Sequence, residues 1–137
     1  MPKRGRSRGR PDGVFVVHLN DKTSELTNPG ARITLTMGWL TQYATVDGEG
    51  IVDSYVVASK GVYITAYFDE DGARKASPSC LLFPQRGGSV ALAGPVVIAC
   101  FGAETQTEAT VQAAQVLSVV PPPPQGPYIH APWPTVQ

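Results

Sequence analysis

From residue 14 to residue 120 the chain repeats one pattern: a short run of apolar, β-branched or aromatic residues, then a polar stop. Residues 14–19 open the series and end at Asn20-Asp21-Lys22. The turn Asn28-Pro29-Gly30 closes the next stretch, 23–30. Residues 31–37 alternate cleanly, Ile33, Leu35 and Met37 against Arg32, Thr34 and Thr36, which is the period of a strand. Gly38 interrupts in the manner of a bulge, and 39–46 continues in similar style. After the turn Asp47-Gly48-Glu49-Gly50 comes a run over 51–58, joined through Ser59-Lys60-Gly61 to 62–68. There Val62, Ile64, Ala66 and Phe68 alternate with Tyr63, Thr65 and Tyr67. Residues 69–78 read as a solvated, charged loop. Apolar runs at 80–83, 89–93 and 96–101 are divided by Pro84 with Gly87-Gly88 and by Gly94-Pro95. A polar, Thr-rich piece, 104–110, precedes the last run, 111–120.

Short strands at regular spacing with turn chemistry between them predict an all-β fold, an antiparallel β-sandwich. Residues 105–117 are the ambiguous segment. Their Ala and Gln content suits a helix. The opening threonines and closing Val116, Val119 and Val120 favour a strand. The predicted organisation is a basic flexible arm (1–13), a β-sandwich domain (14–120) and a Pro-rich extended tail (121–137).

Charge changes the picture. The formal net charge is zero, yet Lys3, Arg4, Arg6, Arg8 and Arg10 stand together in the first ten residues with no acidic side chain. Residues 11–137 keep six Lys and Arg against all eleven acidic residues, a balance of −5. The arm has no apolar face to bury and cannot fold alone. Arg gives bidentate hydrogen bonds to phosphate, and the interleaved Gly and Ser let the backbone follow closely. No aromatic lies among the cations, so binding insensitive to base sequence is expected.

The tail contrasts with it. Residues 121–137 hold seven prolines, beginning Pro121-Pro122-Pro123-Pro124, and no charged side chain. The composition favours extended polyproline II. Tyr128, Ile129 and Trp133 suit an arm that docks onto a neighbouring subunit.

Candidate chemistry is sparse. His18 falls mid-strand and His130 in the tail, no serine elbow is present, and neither Cys80 nor Cys100 has a base beside it in sequence. Two cysteines in apolar runs read as buried free thiols. Asp47 with Glu49, and Asp69, Glu70 and Asp71, lack calcium-loop spacing. No zinc spacing or phosphate-binding glycine pattern occurs. No cofactor or metal is expected, and the residues do not point to an enzyme. No apolar signal region follows the basic start, and no run approaches the ~18 apolar residues of a membrane span. Synthesis in a reducing compartment, with no membrane partner, is expected.

A basic arm feeding a compact Thr-, Val- and Gly-rich β domain resembles small viral capsid proteins. Residues 94–121 carry the closest likeness: Gly-Pro-Val-Val-Ile-Ala-Cys-Phe-Gly-Ala-Glu-Thr-Gln-Thr, running on to Leu117-Ser118-Val119-Val120-Pro121. They resemble the last hairpin in coat proteins of small icosahedral positive-strand RNA viruses. The resemblance implies a jelly-roll fold and a structural role in a virion assembled in the host cell. The implied partners are copies of the chain, other capsid proteins and viral nucleic acid, RNA by analogy. The span 14–120 is short for an eight-stranded jelly roll with loops. Roughly sixty copies in the smallest icosahedral shell would bring about 300 arm charges, enough for a very small genome only. That favours a minor or cementing component, or a larger shell. The alternative from a different class is a small OB-like barrel on single-stranded nucleic acid. It predicts Trp39, Tyr43, Tyr63 and Tyr67 on one exposed basic groove.

Overall fold

The computed structural model describes residues 13–59, 61–76, 78–84 and 88–119. Eight strands are found among them. In chain order they are β1 (Phe15–Asn20), β2 (Glu25–Thr27), β3 (Val52–Ser59), β4 (Val62–Asp69), β5 (Pro78–Leu82), β6 (Val90–Ala93), β7 (Val96–Cys100) and β8 (Leu117–Val119). Three α-helices punctuate them, α1 (Met37–Ala44), α2 (Gly72–Lys75) and α3 (Gln106–Val116), with a short 3-10 turn at Val46–Gly48. The strands form two antiparallel sheets, ordered β2-β1-β7-β4-β3 and β6-β5-β8. The expected all-β sandwich is present. Jelly-roll connectivity finds no support in this order, in which β1–β2, β3–β4 and β5–β6 are each hairpins of sequence neighbours.

The centre is β7. It lies between β1 and β4, with Phe15 opposite Cys100 on one side and Ile64 opposite Cys100 on the other. Every residue from Val96 to Cys100 is buried, because both sheet faces are covered. A strand covered on both faces has no polar side to display, which is why this stretch is continuously apolar. On the inner face Val17, Leu19, Ile64, Ala66, Val96 and Ile98 pack against Cys80 and Leu82 of β5, Leu92 of β6, and Ala109, Ala113 and Val116 of α3. On the outer face Val14, Val16, Val97 and Ala99 pack under Leu40 and Ala44 of α1. The chain crosses between sheets at Gly94, whose φ of +88° is open to glycine at little cost. A Cβ there would lie 2.9 Å from the Val46 side chain.

Two expected strands are corrected to other structure. Residues 31–37 make only the single bridge Val14–Ile33, and 37–44 form α1. Thr36 caps that helix, its hydroxyl accepting the Trp39 amide at 3.0 Å. Leu40 and Ala44, one helical turn apart, supply the buried face. The strand favoured over 105–117 is also overturned. Thr105 accepts the Glu108 amide at 3.0 Å, and the Glu108 carboxylate accepts the Glu104 amide at 2.9 Å. These reciprocal bonds near the helix start resemble a capping box. Ala109, Ala113 and Val116 then fall on one face at helical spacing. Chain extended as β8 begins only at Leu117.

Candidate functional site

The residues the sequence marks for function fall in the two terminal segments. Lys3, Arg4, Arg6, Arg8 and Arg10, and Tyr128, Ile129, Trp133 and His130, lie outside the described residues. What the structure gives is the body to which those segments attach and the surfaces it offers.

The arm joins the body at Gly13. Val14 and Ile33 exchange backbone hydrogen bonds of 2.8 and 2.9 Å, which fixes this root against the 31–35 segment. Gly13 has φ +81°, and a Cβ on it would lie 2.0 Å from the Ile33 carbonyl oxygen. Only glycine fits so close a backbone approach. The Arg32 guanidinium lies over the Phe15 ring, 4.7 Å from its centroid, and Nη1 donates to the Gly13 carbonyl at 3.5 Å. Behind the root the body is acidic. The described residues carry Lys22, Arg32, Arg74 and Lys75 against ten Asp and Glu.

One acidic residue departs from the solvated loop expected of 69–78. Asp69 is 2% exposed. Its Oδ2 accepts the Val46 amide at 2.9 Å and the Lys75 ammonium at 2.9 Å, and its Oδ1 accepts the Asp71 amide at 2.8 Å. Burial alone would raise this carboxyl. The Lys75 hydrogen bond, the two amides and the nearby positive charge outweigh it and hold the group below the ordinary value. Lys75 also donates to the Glu49 carbonyl at 3.1 Å, so one ammonium ties two loops together. A cation drawn to Asp69 would find Lys75 already there. Among the described residues no three His, Cys, Asp or Glu side chains converge as metal ligands.

His18 lies at the rim of a cleft of about 540 Å³, with Asp21, Lys22, Tyr43 and Asp47 also in its wall. Its Nε2 lies 2.9 Å from the Tyr43 carbonyl oxygen, and the ring meets the Tyr43 ring edge-on at 5.5 Å. Burial lowers its pKa, against the Tyr43 carbonyl and Asp21, which both favour the cation. The imidazole is therefore neutral at pH 7, and bonding to a carbonyl requires the Nε2–H tautomer. Its orienting partner is thus a main-chain oxygen. Cys80 and Cys100 are free thiols buried in the inner core, as expected. Desolvation pushes both up to about 12, and the Cys100 Sγ donates to the Ala109 carbonyl at 3.4 Å. Thiols so buried and so weakly acidic are poor nucleophiles.

The aromatic residues divide. Trp39 and Tyr43 stack on α1 with ring centroids 4.6 Å apart. Tyr63 meets Phe101, centroids 5.7 Å apart, at the other end of the outer face. Tyr67 is half-buried beneath α1. The four residues of the single-strand-binding alternative therefore share the outer face, with Tyr63 paired to Phe101 rather than to Trp39 or Tyr43. No helix among the described residues is long and apolar enough to cross a membrane. Comparison of the chain with protein-family models, with curated proteins and with solved structures gives no match.

Proposed function

We propose that this chain is a non-enzymatic structural protein of a virion, which self-associates into an icosahedral shell or cements one. Its basic arm contacts nucleic acid, RNA foremost, or an acidic neighbour. The observation that carries the reading is the separation of charge: five cations in the first ten residues, and an acidic, two-sheet β body behind them. Such a body repels phosphate, so polynucleotide contact is confined to the arm and assembly falls to the β domain and tail. Exposed apolar side chains on the outer face, Val56, Tyr63 and Phe101 among them, suit protein–protein contact.

The test is the hydrodynamic size of the purified chain with and without single-stranded RNA. Large particles are expected, with RNA association weakening on added salt. If all five arm cations pair with phosphate, the log–log salt slope is about −3.5, at roughly −0.7 per contact. Removing residues 1–10 should abolish that slope. A chain that remains a monomer and ignores RNA at low salt overturns the proposal.

A further inference from the structure

The outer face of the five-stranded sheet is only partly roofed. α1 covers the end that holds Val16, Val97 and Tyr67. Beyond it lies a groove of about 200 Å³ lined by Gly13, Val14, Ile33, Thr34, Leu35 and Phe101. None of these side chains is charged. Tyr63, 49% exposed, leans on Phe101, 40% exposed, and extends the apolar floor. Val56 of β3 stands on the same face, because its partner Thr65 and Tyr63 alternate to that side of β4. The volume falls short of the ~300 Å³ at which drug-sized ligand pockets begin, and suits single side chains.

We infer that this groove receives the aromatic residues of the C-terminal tail, 121–137, of a second copy of the chain. Two long segments lie outside the described residues, and their chemistry differs. The first twelve residues carry five cations, an acid and only Met1 and two prolines as apolar side chains, a poor match for an uncharged groove. The tail is free of charge and offers Tyr128, Ile129 and Trp133. Its starting point argues for a neighbour. β8, the last described element, pairs with β5 in the three-stranded sheet, on the opposite side of the five-stranded sheet from the groove. The residues that follow, Pro121 to Pro124, have a composition that favours polyproline II, which would span roughly 12 Å at about 3.1 Å per residue. A composition of that kind favours a stiff, extended spacer, which argues against a tight return round the sheet edge and for a neighbour.

The inference rests on the self-association proposed above, and one set of full-length chains separates the two. Thr34→Cys is placed in one chain and Thr135→Cys in another, and the mixture is oxidised. Cys80 and Cys100 are buried and do not compete. A disulfide-linked heterodimer is expected, lost when Trp133→Ala is added to the second chain. A bridge within a single chain carrying both substitutions, with none between chains, overturns docking onto a neighbour. Particles in sedimentation with no bridge of either kind overturn the groove as the tail's site while leaving assembly intact. A heterodimer that persists with Trp133→Ala overturns the aromatic anchor. A heterodimer from a chain that otherwise sediments as a monomer supports the docking and overturns the shell.

Discussion

Replacing Asp69 with Ala is a direct test of the buried loop clasp. The substitution removes the acceptor for two backbone amides, Val46 and Asp71, and the partner of the Lys75 ammonium. A buried donor left without a partner costs about 1–3 kcal/mol. The Lys75 side chain is 24% exposed and can turn to water, so its loss adds little. The two amides together set the expectation at ~3 kcal/mol. For a domain of this size that is a fall in Tm of roughly 12–24 °C, at about 4–8 °C per kcal/mol. The pH dependence gives a second reading. Asp69 holds its proton less firmly folded than unfolded, so its contribution is complete well above the ordinary value of 3.8. It is lost as the pH falls through the lower folded value, where the unfolded chain takes up the proton first. Urea and thermal unfolding followed by circular dichroism, at pH 7 and at steps below pH 4, measures both. Wild type and variant should differ most at neutral pH and converge in acid. A loss under about 1 kcal/mol at pH 7 would refute the clasp as a stabilising feature. So would a gap that fails to narrow as the pH falls.

Gln106 is 3% exposed; its Nε2 donates to the Val16 carbonyl at 3.0 Å and its Oε1 accepts the Gly30 amide at 3.1 Å. Gln106→Ala should therefore cost about 2 kcal/mol in chemical denaturation, while a loss near zero would mean that water replaces both bonds. Thr105→Ala should cost about 1 kcal/mol through the lost helix cap, with Thr105→Ser restoring most of it. Cys80 and Cys100 should resist alkylation in the native chain at pH 8 and react in urea, read by mass spectrometry. Rapid labelling without denaturant would contradict their burial.

The strands that were legible in the sequence are those whose alternation answers to one buried and one less buried face. In β4 Ile64 and Ala66 point into the inner core while Tyr63 and Tyr67 look outward, and the period of two is plain. β7 was legible for the opposite reason, as a continuous apolar run closed on both sides. Alternation misled over 31–37, where Ile33 and Leu35 do reach the outer core but from irregular chain that pairs only through Val14. In α1 the aromatic and Thr content imitates a strand, and the burial of Leu40 with Ala44 overrides it. For α3 the signal was present in Thr105 and Glu108, three residues apart, followed by alanines at helical spacing. Asp69 was the hardest to foresee. Nothing in a run of charged residues marks which carboxylate turns inward, because that depends on Val46 and Lys75 meeting it in space. The residues marked for binding nucleic acid and a partner lie outside the described residues, and their signal in the sequence is compositional.

The position of β7 has a consequence for biosynthesis. Its two ladder partners, β1 and β4, are both made before it, yet neither can pair with the other while the central place is open. A nascent chain that has emerged only as far as β4 holds two separate hairpins with exposed inner edges. Closure waits for residues 96–100, drawn between segments far earlier in the chain, a non-local step of the kind that slows folding. That delay is a safeguard and a hazard together. The finished outer face cannot exist before residues 96–100 are in place, so no contact through it can form earlier. The same interval leaves apolar strand edges open to neighbours on a crowded polysome, where aggregation competes with closure.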